Sequence, residues 1–188
     1  MKTTKPALFL DRDGVIIENR AHYVRSWHDV VFLPGALSAL ARTASLPMFV
    51  FVVTNQSMIG RGIVSLETAV SLNNRILNVV RAHGGRIDQA FICPHAPEED
   101  CTCRKPKPGL LQQAAAAFPV DMANSIMIGD ALSDLQAGQA AGVGTTALLL
   151  TGRGKAQNKL AAAEGLRPFP IYPNLQTALQ QLIKIENL

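Results

Sequence analysis

Short runs of Val, Ile, Leu and Phe recur along the chain at Ala7–Leu10, Met48–Val53, Ala90–Ile92, Ser125–Ile128 and Thr145–Leu150. Each has the length of a strand and is too short to be a helix of ordinary length. Between them the apolar positions change to helical spacing. Leu66, Ala69, Val70, Ile76, Leu77 and Val80 keep that spacing, with Asn73 alone off-pattern, after a candidate N-cap at Ser65 and before Gly84-Gly85. Further helices are predicted over Gly35–Thr43, Gly109–Phe118, Ser133–Ala141 and Leu175–Ile185, two of them opening on a Pro-Gly turn or a proline-bearing start. Strand and helix alternate throughout. That order predicts a parallel sheet between helical layers, a doubly wound, Rossmann-like α/β sandwich. No repeat, low-complexity tract or polar linker divides the chain, so residues 1–188 are expected to form a single domain.

In a doubly wound sheet, ligands bind beyond the carboxyl ends of the strands, where strand order reverses. Four polar clusters sit at those ends: Asp11-Arg12-Asp13-Gly14, Thr54-Asn55-Gln56-Ser57, Arg104-Lys105, and Gly129-Asp130 with Asp134. Taken singly, each has an ordinary explanation. Asp11 and Asp13 can serve a turn or a cap, Thr54-Asn55 a turn, Arg104-Lys105 a solvated surface, and Asp130 the cap of the next helix. Converging on one pocket, they form the inventory of a phosphoryl-transfer site. Oxygen ligands from Asp11, the Asp13 backbone carbonyl and Asp130 suit Mg²⁺. Asp11 is the candidate nucleophile, forming an aspartyl-phosphate, and Asp13 the candidate proton carrier. Thr54, Asn55 and Gln56 offer neutral groups to phosphoryl oxygens, Lys105 a compact charge and Arg104 a forked one.

The segment from Cys93 to Cys103 holds every cysteine of the chain, and a histidine with them. Cys93, His95, Cys101 and Cys103 can close a tetrahedral Zn²⁺ shell with no open position, the structural pattern rather than the catalytic one. Such a staple would hold Arg104 and Lys105 at the site. The alternative is three reduced surface thiols beside a chance histidine.

Composition narrows the picture without deciding it. A chain with 48% hydrophobic and 17% charged residues is globular, and at this length should bury roughly 70% of its unfolded surface. A net charge of +4 without a basic block suits small anionic substrates better than nucleic acid. No stretch is long and apolar enough to span a bilayer, and MKTTKP runs through ALFL directly into DRD, so no signal-peptide core is read. The expectation is a soluble, cytoplasmic monomer that binds neither membrane nor nucleic acid.

FLDRDGVI, VVTNQS, CRKPKPG and IGDALSDLQAG, in that order, resemble the four motifs of the haloacid dehalogenase superfamily of phosphatases. The C-x-H-x5-C-x-C loop is similar to that of its zinc-bearing branch, which holds histidinol-phosphatases and heptose 1,7-bisphosphate phosphatases. The resemblance runs from about Ala7 to Gly152 and implies the same fold, the same Mg²⁺ ligands and the same roles for Asp11, Asp13, Thr54, Asn55 and Lys105. TNQSMIGRG, the Pro108-Gly109 continuation and Tyr23-Val24 look closer to the heptose enzymes. The implied reaction is release of the C7 phosphate of the heptose bisphosphate to give heptose 1-phosphate; histidinol phosphate is the alternative substrate. Ala131 and Met58 depart from the heptose pattern. There is no room for a cap domain, so loops must grip the phosphorylated sugar, the candidates being Asn19, Arg20, His22, Tyr23, Arg61, Arg104 and Lys107. Arg61 or Arg104 is expected to take the second phosphate. A polynucleotide 3′-phosphatase and a non-catalytic zinc scaffold are the readings from other classes.

Overall fold

The apolar runs form the middle of the molecule, and the helical segments cover them on both faces. The computed structural model describes residues 3–160 and 165–183. In chain order the elements are β1 (Ala7–Leu10), α1 (Ala36–Ala41), β2 (Phe49–Asn55), α2 (Leu66–Ala82), β3 (Gln89–Cys93), α3 (Gly109–Ala117), β4 (Ile126–Gly129), α4 (Leu132–Ala140), β5 (Thr145–Leu149), α5 (Gly154–Gln157), β6 (Ile171–Tyr172) and α6 (Leu175–Leu182). All five predicted strands and all five predicted helices are present. The short β6 and the single-turn α5 are additions, since two and four residues carry no readable periodicity. The helix predicted to run to Ile185 is observed to Leu182; residues 184 and 185 lie outside the described residues.

All strand pairs are parallel, in the order β3-β2-β1-β4-β5-β6. From β1 the chain steps outward to β2 and β3, then crosses back to β4 on the other side. The reversal lies beside β1, and there the crevice for a ligand opens. Leu10 pairs with both Val52 and Ile128, so β1, β2 and β4 end at nearly the same level.

Alternation along the strands builds two cores. Leu8, Leu10, Val50 and Val52 pack on Leu40 of α1, Ile76 and Val80 of α2 and Leu179 of α6. Phe9, Phe51, Val53 and Phe91 pack on Leu110, Leu111 and Ala114 of α3 and Ala137 of α4. Helix α2 starts where expected, with the Ser65 side chain accepting from the Thr68 amide. Its buried stripe is rotated from the predicted one, however. Leu72 and Asn73 are buried while Leu66 and Val70 are exposed.

Candidate active site

Asp11 follows β1 directly, and its amide donates to the Ile128 carbonyl at 3.0 Å, extending the β1–β4 ladder by one step. This delivers a carboxylate to the crevice. Asp130 follows β4 in the same way and is fully buried. Gly14 (φ +84°) and Gly152 (φ +52°) bring two backbone loops against the Asp130 carboxylate, and a Cβ at either position would overlap it. Both conformations lie in the left-handed region that glycine adopts freely.

Lys105 reaches the same point from the loop between β3 and α3. Its buried ammonium meets Asp11 Oδ1 at 3.0 Å and Asp134 Oδ1 at 2.7 Å, and donates to the Val53 carbonyl at 2.7 Å. Three donors thus have three acceptors. Asp134 is set by the first turn of α4, where its Oδ2 accepts from the Ala131 amide at 3.1 Å. Burial pushes Asp11 up to about 7; Lys105 opposes this, and the carboxylates of Asp134, Asp130 and Asp13 add to it. Burial alone would lower Lys105, but the charges of Asp11 and Asp134 outweigh it and hold the ammonium above its ordinary range.

A cavity of about 380 Å³ opens here, lined by Asp11, Asp13, Asn19, Tyr23, Asn55 and Ser57 on one side and Arg104, Lys105, Pro106, Ser133, Asp134 and Arg153 on the other. Of the predicted site residues, Asp11, Asp13, Asn19, Tyr23, Asn55, Arg104 and Lys105 line it. His22 is exposed and does not, and Arg61 is turned to Glu98 at 3.3 Å. Lys107 is likewise paired outward, with Asp100. Asn55 is partly committed, exchanging hydrogen bonds with the Lys105 amide (3.1 Å) and carbonyl (3.0 Å). Thr54 and Gln56 lie behind the cavity wall, where Gln56 Nε2 donates to Thr54 Oγ1 at 2.8 Å and to Asp13 Oδ2 at 2.9 Å. Tyr23 holds φ +66°, unusual for a non-glycine residue, at the cavity rim.

Ser133 and Arg153 have no place in the predicted site, and Ser57 and Asp134 have a place among the strand-end clusters but no predicted role. Arg153 donates its amide to Asp130 Oδ2 at 2.8 Å and its guanidinium to Oδ1 at 3.2 Å, while Asn19 donates to Oδ2 at 2.5 Å. The -T-G-R-G- run after β5 was the available signal, a polar segment following a strand like the other clusters.

Two groups can hold metals. One ligand atom from each of Asp11, Asp130 and Asp134 falls within a 4.8 Å sphere of separations. All are carboxylate oxygens, the donor set of a hard divalent cation. Both Asp134 oxygens are already engaged, by Lys105 and the Ala131 amide, whereas Lys105 meets only Oδ1 of Asp11, so Asp11 and Asp130 are the natural ligands. The second group is Cys93, His95, Cys101 and Cys103. Their separations are 3.6 Å (Cys93–Cys101), 3.4 Å (Cys101–Cys103), 3.7 Å (Cys93–His95 Nδ1) and 3.3 Å (Cys103–His95 Nδ1). Tetrahedral Zn²⁺ with ordinary bond lengths places sulfurs about 3.8 Å apart and sulfur and nitrogen about 3.6 Å apart, so the four donors fit. The loop reaches the cavity through Arg104, which donates to the His95 carbonyl at 3.3 Å.

Among the described residues no helix is long and apolar enough to cross a membrane. A HAD-hydrolase-like family model matches residues 102–178. The chain is 40% identical over 179 residues to the D-glycero-beta-D-manno-heptose-1,7-bisphosphate 7-phosphatase of Vibrio cholerae, an alignment covering 89% of this chain and 96% of that one. It is 33% identical to the protein of the same name from Pseudomonas aeruginosa, over 95% and 99% of the two chains. Among solved structures, the D,D-heptose 1,7-bisphosphate phosphatase of B. bronchiseptica, complexed with magnesium and phosphate, superposes with a TM-score of 0.87 at 34% identity, covering 95% of this chain and 98% of that one. With identity of this order over nearly whole chains and a superposition of that quality, this chain belongs to the D-glycero-beta-D-manno-heptose-1,7-bisphosphate 7-phosphatase family of haloacid dehalogenase-like hydrolases.

Proposed function

We propose that the chain hydrolyses the C7 phosphate ester of D-glycero-β-D-manno-heptose 1,7-bisphosphate through an aspartyl-phosphate. The observation that carries this reading is the ring of Asp11, Lys105, Asp134 and Asp130 in a pocket of sugar-phosphate size, in a chain similar over almost its whole length to enzymes of that name. Asp11 attacks phosphorus. Lys105 holds the nucleophile's other charge in check and faces the phosphoryl oxygens, joined by Asn55 of the cavity wall. Asp13 gives a proton to the leaving sugar oxygen and later takes one from the attacking water. Asp11, the Asp13 carbonyl and Asp130 would hold Mg²⁺; when bound, it neutralises phosphoryl charge beside the nucleophile. Asn19, Tyr23 and Arg104 face the sugar and the second phosphate.

Zn²⁺ in the Cys/His cluster is read as structural, tying Arg104 to the cavity. Every cavity residue comes from one continuous sheet and its loops, which supports a single catalytic domain over residues 1–188 working as a monomer. Three thiols left unpaired support a reducing, cytoplasmic setting.

The test compares kcat/KM on the β and α anomers of heptose 1,7-bisphosphate and on histidinol phosphate, with Mg²⁺ present. The expected order places the β anomer first. Faster turnover of histidinol phosphate would overturn the substrate assignment. No turnover of any phosphate ester would overturn the activity.

A further inference from the structure

Arg12 is among the largest fully buried side chains of the protein, 1% exposed, and the reaction outlined above gives it no part. Its Nη2 donates to Asp13 Oδ2 at 2.8 Å, to Asp13 Oδ1 at 3.0 Å and to Gln56 Oε1 at 3.0 Å. Nε and Nη1 have no partner among the described residues. A buried guanidinium with two idle nitrogens carries a desolvation cost that those nitrogens do not recover. What the charge does accomplish is local. Gln56, also buried, completes a triangle: it accepts from Arg12 and donates to Asp13 Oδ2 at 2.9 Å.

This arrangement treats the two Asp13 oxygens differently. Oδ2 receives two donors, from Arg12 and Gln56, so a proton on it would face an N–H on either side. Oδ1 receives only the longer contact from Arg12. The carboxyl as a whole borders the cavity beside Asp11, with its side chain 22% exposed. We propose that Arg12 and Gln56 are positioning residues that clamp Asp13 so that Oδ1 carries the transferred proton in both half-reactions, an inference that rests on the phosphatase reading above. In the first, the Asp11–phosphorus bond forms, the bond from phosphorus to the sugar oxygen breaks with its electron pair on that oxygen, and the Asp13 proton passes to it. In the second, a water oxygen bonds to phosphorus, its proton passes to Asp13, and the Asp11–phosphorus bond breaks to free phosphate.

A proton delivered to the leaving oxygen matters when that oxygen is an alkoxide and little when it is a stabilised phenolate. The clamp is therefore read by leaving group. Gln56→Met keeps the shape of the side chain and removes both its donor and its acceptor. Its kcat/KM on heptose bisphosphate is expected to fall about 10²-fold, with the fall on p-nitrophenyl phosphate at least tenfold smaller and KM for p-nitrophenyl phosphate lowered together with kcat. Because water activation also slows, pre-steady-state mixing with p-nitrophenyl phosphate should give a burst of p-nitrophenolate larger than the wild type's. Arg12→Met should show the same leaving-group signature, and it decides the matter if Gln56→Met does not fold. Equal losses on both substrates, or none, would overturn the clamp while leaving the phosphatase reading intact. A wild-type protein inactive on every phosphate ester would instead overturn that underlying reading.

Discussion

Lys105 holds more of the site together than any other single residue, because its three acceptors come from three separate elements: Asp11 after β1, the Val53 carbonyl of β2, and Asp134 of α4. Removing one partner from a buried charged set leaves the others uncompensated, typically at about 3–5 kcal/mol. Lys105→Met should accordingly lower unfolding free energy by that order in urea titrations and abolish turnover as well. The sign of the pH effect follows from Asp11. Folded, it keeps its proton to about 7 instead of the ordinary 3.8, so the folded chain binds the extra proton in that window and metal-free stability falls as pH rises through it. A cation that requires the ionised carboxylate must displace this proton. The Mg²⁺-induced rise in Tm should therefore grow between pH 5 and pH 7.5 and level off above, in thermal scans with and without the metal; a pH-independent rise would remove Asp11 from the ligand set. Asp11, Asp13 and Asp130 were legible because each sits just past a strand end, and Lys105 because it lies in the loop that leaves β3. The partnerships of Arg12 with Gln56 and of Arg153 with Asp130 were not, since side-chain reach across elements leaves no spacing in the chain.

Periodicity located the longer elements to within a few residues and failed where an element is shorter than one period, as in β6 and α5. It also misjudged the face of α2. Asn73 looked like a polar residue interrupting an apolar stripe; it is buried, and its Oδ1 has no hydrogen-bond partner among the described residues. An unsatisfied buried acceptor costs about 1–3 kcal/mol, so Asn73→Leu should stabilise the protein by around 1 kcal/mol, measurable as a higher urea midpoint without loss of activity. The Cys/His loop makes the opposite case, since the four donors of its candidate metal site were readable from spacing alone. Without metal, burial pushes the Cys93 thiol up to about 12, whereas sulfur and backbone hydrogen bonds outweigh burial at Cys101 and bring it to about 7. Metal binding must displace protons from such thiols. Chelation at neutral pH should lower Tm and raise KM for the bisphosphate through the Arg104 loop, with a smaller effect on kcat; an unchanged Tm after complete zinc removal would deny the loop its structural role.

For the molecule as a whole, function follows from strand order. Placing β1 between β2 and β4 brings residues more than a hundred positions apart, such as Asn19 and Asp130, within hydrogen-bond distance. The sequence predicted a doubly wound sheet and the convergence of its strand-end clusters, while the depth at which each side chain would lie depended on the packing of loops around Gly14 and Gly152. That packing puts Thr54 and Gln56 behind the wall and Arg153 in it. The central claim is that Asp11 forms the covalent link to phosphorus, and the most direct measurement is acid quenching of the enzyme during turnover of the heptose bisphosphate, followed by peptide mass spectrometry. One phosphoryl group on the peptide containing Asp11, absent from Asp11→Asn, is the predicted result. Steady turnover with the phosphoryl group on another residue, or undiminished turnover by Asp11→Asn, would contradict it.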